Sequence, residues 1–154
     1  MFAELNTLRA PPDAMAAHRR FGATCGPCAL AAALERNVAD VIQHFPELHH
    51  KTFTNLPSMA HALRAAGISW SRCNDLPRAG LALMCGPQKY YSRHWIAVRE
   101  QFVYEVCLDM WLPILVWRRD FLPVLAAEFD SLSRRWRVEA AFEIDICCQA
   151  AAAV

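Results

Sequence analysis

The hydrophobic period of this chain changes once, at Gly67, and that change restricts the possible folds more than any other feature. Upstream, apolar residues recur at the spacing of a helix face. The stretch TCGPCALAAALER at 24–36 predicts a helix: Thr24 or Cys25 caps it, Pro27 suits its first turn, and the Ala/Leu run has strong helix propensity. Asn37 caps a second, in which Val38, Val41, Ile42 and Phe45 form one stripe ending at Pro46. After a loop at 47–53, Asn55 caps a third, with Leu56, Met59, Ala60 and Leu63 on one side and Gly67 as its stop. Downstream the period is two, in ISWSR at 68–72, GLALMC at 80–85, HWIAV at 94–98, FVYEV at 102–106 and WRVEAAFEIDI at 136–146. Helices first and strands later predict an α+β fold, an N-terminal helical layer packed on a C-terminal antiparallel β-sheet.

The 154 residues fit one domain over 1–154, with a loose N-terminal arm of one or two helical turns over 1–20 and a tail at 147–154. Between the last two strands, WRRDFLPVLAAEF at 117–129 predicts a helix interrupted or started near Pro123. Hydrophobic residues at 55 % and charged ones at 20 % describe a globular chain, not a disordered one. A net charge of +1 supplies no field for nucleic acid or an anionic membrane, and the basic pairs are scattered without aromatic interleaving. The most apolar run, MWLPILVW at 110–117, is too short to span a bilayer, and no signal-peptide pattern opens the chain. With seven cysteines, an odd number, several inside apolar runs, a reducing, cytoplasmic setting is expected. Cys25-x-x-Cys28 is one ligand pair without a second, so no metal site and no cofactor are expected.

Cys25 at a helix start meets the positive end of the helix dipole and unpaired backbone amides, which favour a thiolate and leave the Cys25 N–H to hold an oxyanion. His94 opens a strand downstream. A tight turn at Arg99–Glu100 would set Val98 opposite Gln101 and His94 opposite Glu105; a slip of two would set Cys107 opposite His94 and leave Glu105 diagonal. Glu105 shares the face of His94 either way. A carboxylate on one ring nitrogen fixes the tautomer and leaves the other nitrogen to take a thiol proton. The histidines at 18, 44, 49, 50 and 61 are expected at the surface.

TCGPCALAAAL at 24–34, followed by HWIAV and then VYEV at 103–106, resembles the papain-like cysteine peptidase superfamily. It is most similar to bacteriocin-leader peptidases and to bacteriophage and prophage proteins with TCGPAAL, HWVAV and VYDVN motifs, the latter over most of 20–145; the Cys and His motifs are the specific part. The resemblance implies a papain-like fold and a hydrolase acting on a peptide, isopeptide or other acyl bond, so its partner is a protein or peptide substrate. Cys25 matches the nucleophile, His94 the base, and Glu105 the position usually held by Asp. Cys107 stands where the phage proteins commonly show Asn, and Arg19 where the family carries an oxyanion Gln. Trp95 would cover or back the site, or serve as a buried sheet tryptophan, and Tyr90 and Tyr91 in the loop 86–92 would wall a cleft. Papain's own C-G-x-C order would favour Cys28, but that residue falls a full turn into an apolar helix.

Two other functions use the same residues. Cys25-Gly26-Pro27-Cys28 is letter for letter the thioredoxin redox motif, without the preceding buried strand or the following βαβ pattern. A catalytically degenerate scaffold, binding and blocking a host factor as a phage-encoded inhibitor, would also explain the departures at Arg19, Glu105 and Cys107.

Overall fold

The computed structural model describes residues 7–22, 24–50, 53–86, 93–124 and 136–145. Helices α1 (Ala14–Phe21), α2 (Cys25–Leu34), α3 (Val38–Ile42) and α4 (Leu56–Ala65) come first, with a 3-10 turn at Pro46–His49. Strands β1 (Trp70–Cys73), β2 (Ala79–Cys85), β3 (Arg93–Arg99), β4 (Phe102–Glu105), β5 (Met110–Pro113) and β6 (Arg137–Ile144) form one antiparallel sheet in the order β1-β6-β2-β3-β4-β5. The fold is α+β. Among the described residues no helix is long and apolar enough to cross a membrane.

Helix α2 is the centre of the molecule. Nine of its ten residues, all but Cys25, are buried, as expected of a helix that is apolar all round. Its alanines let it lie close against the sheet, where Leu81, Leu83, Trp95 and Ala97 join the same core. A second core on the other face joins Met84, Ile96, Val98 and Val103 to Trp117. Strands β2 and β3 are therefore covered on both faces, which explains their nearly continuous burial. Helix α2 runs alongside β3 in the same direction: ten residues at about 1.5 Å match five strand steps at about 3.3 Å. At the far end Arg99 locks the pair, donating to Glu35 and to the Ala33 carbonyl.

Several sequence expectations need correction. The arm is docked, not loose, over its described part: α1 buries Ala14 and Ala17, the Arg9 carbonyl accepts from Trp111 Nε1 at 3.1 Å, and Asp13 accepts from the N–H groups of Val38 and Ala39 at 2.7 and 2.9 Å. Asp13 thus caps α3 from 25 residues away. The α3 stripe is right in its faces, but the α-helix ends at Ile42 and a turn carries Phe45 inward. Strand β5 was not expected. The helical segment starts at Ile114, before the expected 117, passes through a π turn at Trp117–Phe121 and continues to Val124, while 125–135 lie outside the described residues. Pro123 has no N–H to return to the preceding turn.

The β3–β4 hairpin turns at Glu100–Gln101, not Arg99–Glu100. Arg99 pairs with Phe102, Val98 with Val103 and Ala97 with Tyr104. Glu100 takes a left-handed φ of 54° and its N–H donates to the Arg78 carbonyl at 2.5 Å, so a contact from outside the hairpin accompanies the shifted turn. Continuing this register beyond Tyr104 puts Cys107, not Glu105, across from His94.

Candidate active site

The N-terminus of α2 meets the start of β3, and Cys25 and His94 meet there. Thr24 is the N-cap and Pro27 occupies the third helical position, so the N–H groups of Cys25 and Gly26 have no partner within the helix. The half-buried Cys25 thiol is hydrogen-bonded to the His94 ring and receives the backbone N–H groups of Trp95 and Gly26. Burial alone would raise its pKa; the hydrogen bond and charge of His94, with the two amides, outweigh burial and lower it. For His94 burial again opposes the charged form, but the bonds to Cys25 and Glu105 and the Glu105 charge push it up to about 10. Both shifts favour a thiolate beside an imidazolium.

The other side of the ring is held by Glu105. His94 Nε2 lies 2.5 Å from Glu105 Oε1, which leaves Nδ1 as the nitrogen for the thiol. Glu105 is fully buried, and two further donors converge on it: the Cys107 N–H at 3.1 Å to Oε1 and Trp117 Nε1 at 2.9 Å to Oε2. Burial would raise its pKa, but these hydrogen bonds and the His94 charge hold it below the usual carboxylate range. The extra methylene of Glu over Asp has a geometric reason: a diagonal pair lies farther apart than a directly opposed one, about 7–8 Å against 4.5–5.5 Å, and needs the longer side chain.

Trp95 is a buried sheet tryptophan, stacked on Phe142 at 6.1 Å, and its backbone N–H faces the sulfur. Its indole Nε1 donates to the Thr54 carbonyl at 2.8 Å. Thr54 in turn packs on Gly26, where a Cβ would come within 2.4 Å of Thr54 Oγ1. The helix end bearing Cys25 is thus clamped from a segment nearly thirty residues away. Cys107 is exposed in the turn after β4, near both His94 and Glu105. Cys28 is buried, bonds to Thr24 Oγ1, and has its thiol pushed up to about 11, first by burial.

Arg19 is not brought into the site. It lies exposed in the last turn of α1, with no contact to Cys25, His94 or Glu105 among the described residues. His18, His50 and His61 are exposed and His44 half-buried, while nothing is described of the His49 side chain. Tyr90, Tyr91, Cys147 and Cys148 lie outside the described residues. Trp117 and Thr54 were missed by sequence reasoning. Gly26 inside a helix was the one local signal of a close approach; Trp117 left none, because its link to Glu105 depends on the strand and helix between them.

Comparison with protein-family models, curated proteins and solved structures gives no match for this chain.

Proposed function

We propose that this chain is a thiol-dependent hydrolase of the papain-like type, cleaving a peptide, isopeptide or related acyl bond with Cys25 as nucleophile, His94 as acid and base, and Glu105 as the group that orients His94. The observation that carries this reading is the unbroken connection from the Cys25 thiol through His94 to a buried carboxylate with three donors. Buried carboxylates are costly unless fully paired, and a merely structural His94 would not need one.

In the reaction the Cys25 thiolate attacks the acyl carbonyl, and the Cys25 N–H at the α2 terminus donates to the oxyanion. Collapse expels the amine, which takes the Nδ1 proton of His94, and a thioester remains on Sγ. His94, now neutral, removes a proton from water as that water attacks the thioester; the acid leaves and the thiolate–imidazolium pair is restored. Glu105 accepts from Nε2 throughout and stays ionised. Disulfide exchange through Cys25 and Cys28 is the weaker reading, because Cys28 is buried and held as a thiol.

Iodoacetamide alkylation followed by mass spectrometry against pH tests the proposal. Cys25 is expected to react fast below pH 7, to lose that reactivity in His94→Ala and to keep it in Cys28→Ser. An ordinary thiol titration for Cys25 would remove the catalytic reading and favour a binding protein on the same scaffold; dependence on Cys28 would favour the redox one.

A further inference from the structure

The proposed reaction leaves Cys107 unused, although its position is distinctive. One ligating atom each from His94, Glu105 and Cys107 lie within 4.8 Å of one another, two of these residues buried and the third open to solvent. We propose that His94, Glu105 and Cys107 form a binding site for a zinc-class divalent cation, and that the bound cation withdraws His94 from proton transfer. The binding claim stands apart from the hydrolase reading; only its consequence rests on it.

The donor set is one imidazole, one carboxylate and one thiolate, a mixture that suits zinc with a water in the fourth position. The ligands are also supported from behind. Glu105 Oε2 is held by Trp117 Nε1, which leaves Oε1 as the metal-side oxygen, and the second ring nitrogen of His94 faces Cys25. Exposure of Cys107 supplies the entry path.

The required adjustment is small. Zinc bonds of about 2.0–2.3 Å in a tetrahedron set ligand atoms about 3.3–3.7 Å apart. His94 Nε2 and Glu105 Oε1, now 2.5 Å apart, must open by about 0.8 Å, while Cys107 swings in from a turn. Binding releases the Nε2 proton and the Cys107 thiol proton to solvent. The ring keeps its Nδ1 proton beside Cys25, and with Nε2 taken by the cation it would no longer pass between imidazolium and imidazole during the reaction. The amine leaving group then goes unprotonated.

The chain's sequence hid this site because zinc patterns are read as ligand pairs close in sequence. His94 and Cys107 are thirteen positions apart and meet only through the observed hairpin register.

Cobalt(II) added to the reduced full chain is the probe. One equivalent should produce a near-ultraviolet thiolate-to-cobalt band that zinc displaces. Cys107→Ser should abolish the band and weaken zinc binding by at least about 100-fold, since losing only a supporting contact costs 10–100-fold. Cys25→Ser should retain both. A band that survives in Cys107→Ser, is lost in Cys25→Ser, or never forms in the unaltered chain overturns the site. Ordinary alkylation of Cys25 with the cobalt band intact would instead overturn the hydrolase reading alone.

Discussion

Replacing Glu105 by glutamine tests the site most sharply, because the shape is kept while charge and acceptor number change. Three N–H donors point at the carboxylate: His94 Nε2 and the Cys107 amide at Oε1, Trp117 Nε1 at Oε2. A glutamine amide has one oxygen. Turned toward His94 and Cys107, it sets its own NH2 against the Trp117 N–H, leaving a buried donor unpaired at about 1–3 kcal/mol. The ion pair with His94 is also lost. Removing one partner of a buried pair costs about 3–5 kcal/mol when the other stays charged, but His94 can shed its proton, so about 3 kcal/mol in total is expected. At about 2–4 °C per kcal/mol for a chain of this size, the melting temperature should fall by about 6–12 °C.

The same substitution acts on Cys25. Without the Glu105 charge, the bond and charge of Cys25 remain to oppose burial at His94, so the balance moves toward the neutral ring and the thiolate's counter-ion is weakened. An ordinary thiol is only about 1 % ionised at pH 6.5, two units below its pKa of about 8.5. The higher intrinsic nucleophilicity of a less acidic thiolate returns part of that loss. Alkylation of Cys25 at pH 6.5 should therefore slow by about 10- to 100-fold. A melting temperature within 2 °C of the parent (about 1 kcal/mol or less), together with unchanged alkylation, would refute the claim that Glu105 organises the site.

Glu105→Asp should slow Cys25 alkylation nearly as much as glutamine does, because the shorter side chain falls short of a diagonal partner; full retention of rate would place the two residues directly opposite after all. Gly26→Ala should lower the melting temperature despite the roughly 1 kcal/mol that alanine gains inside a helix, since the new Cβ meets three Thr54 side-chain atoms at 2.4 to 2.8 Å. Thr54→Ala should not rescue it, because the Thr54 Cβ at 2.5 Å remains, whereas Thr54→Gly should recover part; a stabilised Gly26→Ala would refute the clamp. His94 binds its proton more tightly folded, at about 10, than unfolded, at about 6.5, so its contribution is complete below pH 6.5 and is lost as the pH rises through 10. Urea titrations should show the stability difference between the parent and His94→Gln shrinking across that window, and a difference that grows with pH would mean a ring held neutral.

Local rules made the helical half readable. The Asn55 cap accepts the Ser58 N–H at 2.9 Å, and Met59 and Leu63 are buried as the stripe requires. Cys25 falls at the α2 terminus because Thr24, Pro27 and the alanine run all act within one turn. Strand β5 escaped notice because MWLP merges with the apolar run into Ile114, so neither alternation nor a turn residue marks its end. The docked arm was illegible for a different reason: Asp13 and the Arg9 carbonyl accept from α3 and β5, and no local pattern encodes such distant donors.

The hairpin register shows how a local error can leave a site intact and still change its chemistry. A slip of two keeps each side chain on its face, so Glu105 reached His94 in both registers. What changed is the residue opposite His94. With the observed register extended past Tyr104, the position opposite His94 falls to an exposed thiol in the turn after β4, and the carboxylate must reach diagonally, with its second oxygen fixed by Trp117 from the helical segment after β5. The extra methylene at position 105, the cysteine at 107 and the tryptophan at 117 are therefore linked by one register. Changing any one of them alone leaves either a gap beside His94 or a buried carboxylate oxygen without its donor.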